Sequence, residues 1–159
     1  VVETRIGEAK VTDCETAAQA DREWLHGCIS LLQECTALND EMDNRLIPSV
    51  EHDAYSQAAQ EARIRAEGIL GKWRALPRPQ APRFVQAHGL LESAIMDLVA
   101  SFDELCAACD AVDERKAEEH GKKATALLES YGEKFEQAGE TIGAVTEGSR
   151  PDRRVGGAD

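Results

Sequence analysis

Residues 84–112 read FVQAHGLLESAIMDLVASFDELCAACDAV, and their apolar positions decide the fold. Phe84, His88, Leu91, Ile95, Leu98, Phe102, Leu105, Cys109 and Val112 follow one another in alternating steps of three and four residues. That spacing lines one stripe of an α-helix and holds its phase as in a helix packed along another helix. Working outward, the same rule returns in three further stretches. Cys14, Ala17, Trp24, Cys28, Leu31, Cys35, Leu38 and Met42 obey it, interrupted once by Asp21. Tyr55, Ala59, Ala62, Ala66, Ile69, Trp73 and Leu76 obey it with a thin, alanine-rich seam. Ala117, Ala124, Leu128, Tyr131, Phe135, Ala138, Ile142 and Val145 complete the set.

The punctuation fits four helices. Ile47-Pro48-Ser49 is a tight break, and the run from Leu76 to Pro82, with three prolines, is a stiff extended connector. Between Val112 and Ala117 the seam slips by five residues, and Asp110 and Asp113 there are good cap residues. A turn at that point separates the third and fourth helices; without it, one helix would run from Phe84 to Val145. Thr12 or Asp13, with Glu15, suggests a cap for the first helix, and Ser49 one for the second. The expectation is an all-α, up-down-up-down antiparallel four-helix bundle over residues 12–146, because short connections favour antiparallel neighbours. Its helices are expected at about 12–46, 49–75, 83–111 and 114–146, each roughly 40 to 50 Å long at 1.5 Å per residue. Residues 1–11 show no apolar period and read as a loose segment. Residues 147–159, rich in Gly and charge, read as a disordered tail.

Composition narrows the function. The chain has 159 residues and a formal net charge of −12, which suits one domain with its own core. A pI of about 4.8 opposes binding to phosphates, so neither nucleic acid nor an anionic bilayer is an expected partner. No apolar run approaches the roughly 18 residues of a membrane span. The chain begins with Val1, which suggests a processed or trimmed product. No nucleophile elbow, phosphate-binding loop or glycine-rich strand-to-helix turn is present, and an enzyme is not expected. Arg65 with Glu61, and Arg63 with Glu67, read as surface pairs along one helix.

Five cysteines ask for an explanation. Cys14, Cys28 and Cys35 are spaced in multiples of seven on the first helix, while Cys106 and Cys109 sit one turn apart on the third. The simplest reading is a set of small buried hydrophobes. A second is a bridge between parallel helices one and three. Cys35 and Cys106 lie about 23 and 24 residues past their expected helix starts, so Cys35 could pair with Cys106 or Cys109. A third is a thiolate metal site from Cys28, Cys35, Cys106 and Cys109, with zinc-like spacing in Cys106-Ala-Ala-Cys109. Against it, cysteines seven apart on a helix span about 10 Å. Haem attachment fails because Asp110 stands where a His is needed. Glu23-Trp-Leu-His26 matches half of a di-iron carboxylate pattern, but no second Glu-x-x-His exists. No cofactor is expected.

His88 is the imidazole on a strict seam position. It reads either as a ligand-binding residue or as a polar group satisfied by water or a connector carbonyl, and the second is commoner. His120 has no evident task.

The stretch Pro77-x-Pro79-x-x-Pro82, followed by His88-Gly-Leu-Leu-Glu-Ser-Ala-Ile95, Leu98, Phe102, Leu105 and Cys109-Asp-Ala-Val-Asp113, resembles uncharacterised helical-bundle domains of bacterial secreted proteins and lipoproteins. The likeness covers Leu76 to Ile142, about 40% of the chain. It implies an extracytoplasmic location, in the cell envelope or secreted, where a disulfide is natural. It transfers no catalytic residue. The leading expectation is therefore a non-enzymatic extracytoplasmic module that binds a protein or small molecule, its acidity favouring cationic partners. The alternative is a cytoplasmic bundle with a cysteine-based metal or redox-sensing site. Oligomerisation through an exposed seam is a third option.

Overall fold

The computed structural model describes the backbone of residues 2–147 and the side chains of residues 15–143. Four helices follow in order: α1 (Val2–Arg45), α2 (His52–Arg74), α3 (Pro82–Asp110) and α4 (Glu114–Glu147). No described segment is a strand. Ion pairs fix the directions. Glu34, Glu41 and Arg45 of α1 meet Lys72, Arg65 and Glu61 of α2, so numbers rise on one helix as they fall on the other. Arg63–Asp103 and Arg74–Glu92 do the same for α2 and α3, and Asp97–Lys134 and Glu104–His120 for α3 and α4. The chain is an antiparallel four-helix bundle.

The seam residues form one core. Trp24, Cys28, Leu31, Cys35, Leu38 and Met42 of α1 are buried, as are Ala59, Ala62, Ala66, Ile69 and Trp73 of α2. Leu91, Ile95, Leu98 and Phe102 join them from α3, and Ala124, Tyr131 and Ala138 from α4. Each buried large side chain contributes about 1.5–3 kcal/mol. The break between α3 and α4 is real: Asp113 Oδ1 accepts a hydrogen bond from the Arg115 amide at 3.0 Å, capping α4.

Four expectations need correction. Residues 2–11 are helical, and Thr12 and Asp13 lie inside α1 rather than capping it. Glu, Ala, Arg and Lys there have high helix propensity and no proline intervenes, so the helix propagates without an apolar stripe. Ser49 does not cap α2, because residues 47–50 close a turn of their own (Val50 N to Ile47 O, 3.1 Å) and the cap position falls to Glu51. Val112 is fully exposed, beyond the end of α3. Arg65 and Glu61 each reach a partner on α1, and Arg63 reaches Asp103 on α3, because antiparallel packing brings opposite charges closer than the helix's own next turn. The expected tail, from residue 148 on, and the side chains of Cys14 and Val145 lie outside the described residues.

The four seams are not equal. α3 and α4 lie close along their length, α2 packs on α3, and α1 on α2. The backbones of α1 and α4 stay apart, and their contact is made by side chains such as Cys35 and Tyr131. α4 is held to α3 by a half-buried polar cluster: Lys134 Nζ donates to Asp97 Oδ2 (2.6 Å) and Ser93 Oγ (2.8 Å), and Ser130 Oγ donates to the same Asp97 oxygen (2.7 Å).

Candidate functional site: an open seam between the first and fourth helices

One end of the bundle carries an aromatic cluster. At the connector end, Trp24, Trp73, Phe84 and His88 interlock. Trp24 meets Phe84 at 5.2 Å and Trp73 edge-on at 6.3 Å, and His88 stacks on Trp73 at 5.1 Å. Trp24 Nε1 donates to His88 Nδ1 at 3.0 Å, which fixes His88 as the neutral tautomer carrying its proton on Nε2. The Nδ1 of the seam histidine is thus satisfied by an indole rather than by a connector group. His88 is 8% exposed and is a structural partner rather than a free ligand group.

Burial pushes the His88 pKa below its ordinary value, with Glu92 acting to raise it and Arg78 to lower it further. Since the folded state resists protonation, stability is fully present above the unfolded pKa near 6.5 and is lost as pH falls below it. His88→Asn keeps an acceptor near the Nδ1 position but does not titrate. In urea unfolding the variant is expected to be less stable than the parent at pH 7.5, with the gap narrowing at pH 5.5. A gap independent of pH would contradict this reading.

The connector is seated on α1 through the residue that interrupts its seam. Asp21 Oδ1 accepts from the Gln80 amide (2.6 Å) and the Ala81 amide (3.1 Å), at the start of α3, which has no side-chain cap of its own. Gly27 lets the connector approach: a Cβ there would lie 2.5 Å from Leu76 Cδ2.

This anchoring sets the register of α1 against α3 and separates the cysteines. Trp24 lies level with His88, so Cys35 lies level with Val99, and Cys106 is seven residues, about 10 Å, further along. The expected Cys35–Cys106 level match assumed that α1 starts at residue 12. Cys35 instead faces Tyr131 of α4, whereas Cys109 meets Ser56 and Cys106 lies near Arg63, both on α2. All four described cysteines, Cys28, Cys35, Cys106 and Cys109, are free. Neither a Cys35 bridge nor the four-thiol metal set is formed, and among the described residues no three His, Cys, Asp or Glu side chains are grouped to hold an ion. Burial raises the thiol pKa of Cys28 to about 12 and of Cys35 to about 11, and also raises Cys106 and Cys109. Such thiols are poor nucleophiles and poor sensors. Glu23 and His26 are exposed on α1, with Glu23 accepting a hydrogen bond from Gln19.

At the opposite end the unsealed seam opens into a cleft of about 420 Å³ lined from all four helices. Its walls are Met42, Leu46, Phe102, Leu105, Leu128 and Tyr131; Asn39, Asp43, Tyr55 and Thr125 supply the polar groups. A second hollow of about 560 Å³ shares Tyr55, Leu105 and Thr125 with it and continues along α4 to Glu118, Gly121 and Lys122. Together they form a trough spanning Glu118 to Tyr131, about 20 Å of α4. A hollow with mixed apolar and polar walls in this size range can admit a small molecule. Comparison with protein-family models, curated proteins and solved structures finds no match to this chain. The resemblance to bacterial envelope bundles therefore rests on Leu76 to Ile142 alone.

The trough was not foreseen from sequence. Leu128 follows the seam spacing as well as any core residue, and nothing in that spacing says that it lines a hollow. No described helix is long and apolar enough to cross a membrane.

Proposed function

We propose that the chain is a non-enzymatic binding module of the bacterial cell envelope or exterior, and that the trough along α4, walled by α1 only in its first hollow, is its ligand site. One observation carries the reading: half-buried leucines and two tyrosines line a hollow at the end of the bundle away from the connector. Water contact with Leu46, Leu105 and Leu128 is a standing cost that an apolar ligand removes. Recovery of the protein with the envelope or secreted fraction of its source cell is expected; recovery in the cytosol would reject that location.

The binding claim is tested with the uncharged fluorescent probe N-phenyl-1-naphthylamine. Saturable one-to-one binding is expected, weakened at least tenfold in Leu128→Trp, which fills the trough from a position that is already half open. Circular dichroism of that variant verifies that its helices persist. Unchanged probe binding in a folded Leu128→Trp would reject the trough as the site.

A further inference from the structure

Cys106 and Cys109 form a pair apart from the other described thiols. Cys28 and Cys35 belong to the core, whereas these two are half-buried on the last turn of α3, which ends at Asp110. Three residues apart on a helix, they share one face, with β-carbons about 5–6 Å from each other. A disulfide requires about 3.5–4.5 Å between those carbons and would have to distort the turn. Two sulfurs rising from the same pair can instead stand about 4.6 Å apart, the span of two metal–thiolate bonds of about 2.3 Å set in line.

Each sulfur also has a donor beside it on α2. The Ser56 hydroxyl donates to Cys109. Arg63 lies near Cys106, and its Nε is buried with no hydrogen-bond partner among the described residues, although its Nη1 meets Asp103 at 3.5 Å. A buried N–H without an acceptor is a standing cost, which a negatively charged sulfur next to it removes.

We propose that Cys106 and Cys109 bind one Cu(I) ion as a two-coordinate dithiolate on the last turn of α3. Binding forms two Cu–S bonds and releases two thiol protons to solvent, with no change of oxidation state. The resulting centre carries one negative charge, which the Arg63 guanidinium offsets. Soft thiolate ligands select Cu(I). Zinc takes four ligands, and among the described residues no three His, Cys, Asp or Glu side chains are grouped to hold an ion. Burial raises both thiol pKa values, with Asp110 adding to the rise at each and Asp103 at Cys106. Tyr55, near Cys109, keeps its proton because burial raises its pKa as well. Both thiols are therefore protonated at neutral pH, and the ion has to displace two protons to bind.

The test titrates the reduced protein with Cu(I) under anaerobic conditions against bicinchoninate, a competing Cu(I) chelator. One ion per chain is expected, with an affinity that rises about a hundredfold per pH unit between about pH 6 and 8, since two protons leave. Cys106→Ser and Cys109→Ser should each abolish binding that withstands the chelator. Arg63→Gln, which keeps both ligands, should weaken binding about tenfold and retain the two-proton slope. Circular dichroism verifies that the helices of all three variants persist. X-ray absorption of the loaded protein should show two sulfur neighbours and no nitrogen or oxygen. No binding against the chelator, binding that survives either serine variant, a one-proton slope or a shell containing nitrogen or oxygen would overturn the proposal. Tight retention of Zn(II) by the same two thiols would overturn it too, by showing that further ligands are gathered there.

Discussion

Trp24→Ala is expected to cost about 3–5 kcal/mol, a large part of the total stability of a domain this size. The loss has two parts. Removing the indole leaves a void among Trp73, Phe84 and His88, and it leaves His88 Nδ1 buried without its donor. The second part separates the two tryptophans. Trp73 Nε1 is buried with no partner among the described residues, so Trp73→Phe deletes only volume. Trp24→Phe deletes volume and strands an acceptor, an additional cost of about 1–3 kcal/mol. Urea unfolding of both phenylalanine variants at pH 7.5 measures the difference. Equal losses would mean that the Trp24–His88 hydrogen bond contributes nothing.

Asp21→Ala is expected to cost about 2–3 kcal/mol, since two backbone amides lose a charged acceptor at the start of α3. Asp21→Asn should recover part of it, because an amide oxygen still accepts but carries no charge to complement the helix N-terminus. The same substitution should raise amide exchange at Gln80 and Ala81 before it affects the middle of α3. A loss below about 0.5 kcal/mol would show that the connector is held by Leu76 against Gly27 and by the proline-stiffened backbone instead.

These two sites show what the sequence could and could not convey. Seven-residue spacing correctly placed Trp24, Leu38, Ala62, Leu98 and Tyr131 in the core, because burial of one stripe is what spacing encodes. It treated Asp21 as a flaw, because a stripe has no symbol for a carboxylate that serves a loop sixty residues away. The helix start at Val2 was missed for a related reason: propensity can extend a helix where no face is buried. That error displaced the assumed register of α1 and brought Cys35 level with Cys106 on paper. The real register is set by Asp21 on the connector and Trp24 on His88, both long-range contacts. Among candidate residues, His88 was legible as a buried polar group but not its indole partner. The trough was illegible because Met42, Leu105 and Leu128 look alike whether a fourth seam closes or stays open.

The trough is the account's central claim, and methyl-resolved NMR tests it most directly. With labelled Met, Leu and Ile methyl groups, titration with N-phenyl-1-naphthylamine should shift Met42, Leu46, Leu105 and Leu128 together and saturably. Leu91 and Ile95, deep in the core, and Ile29 and Ile64, exposed elsewhere on the bundle, should stay in place. Shifts centred on those other groups, or no saturable shift at all, would contradict a ligand site between α1 and α4.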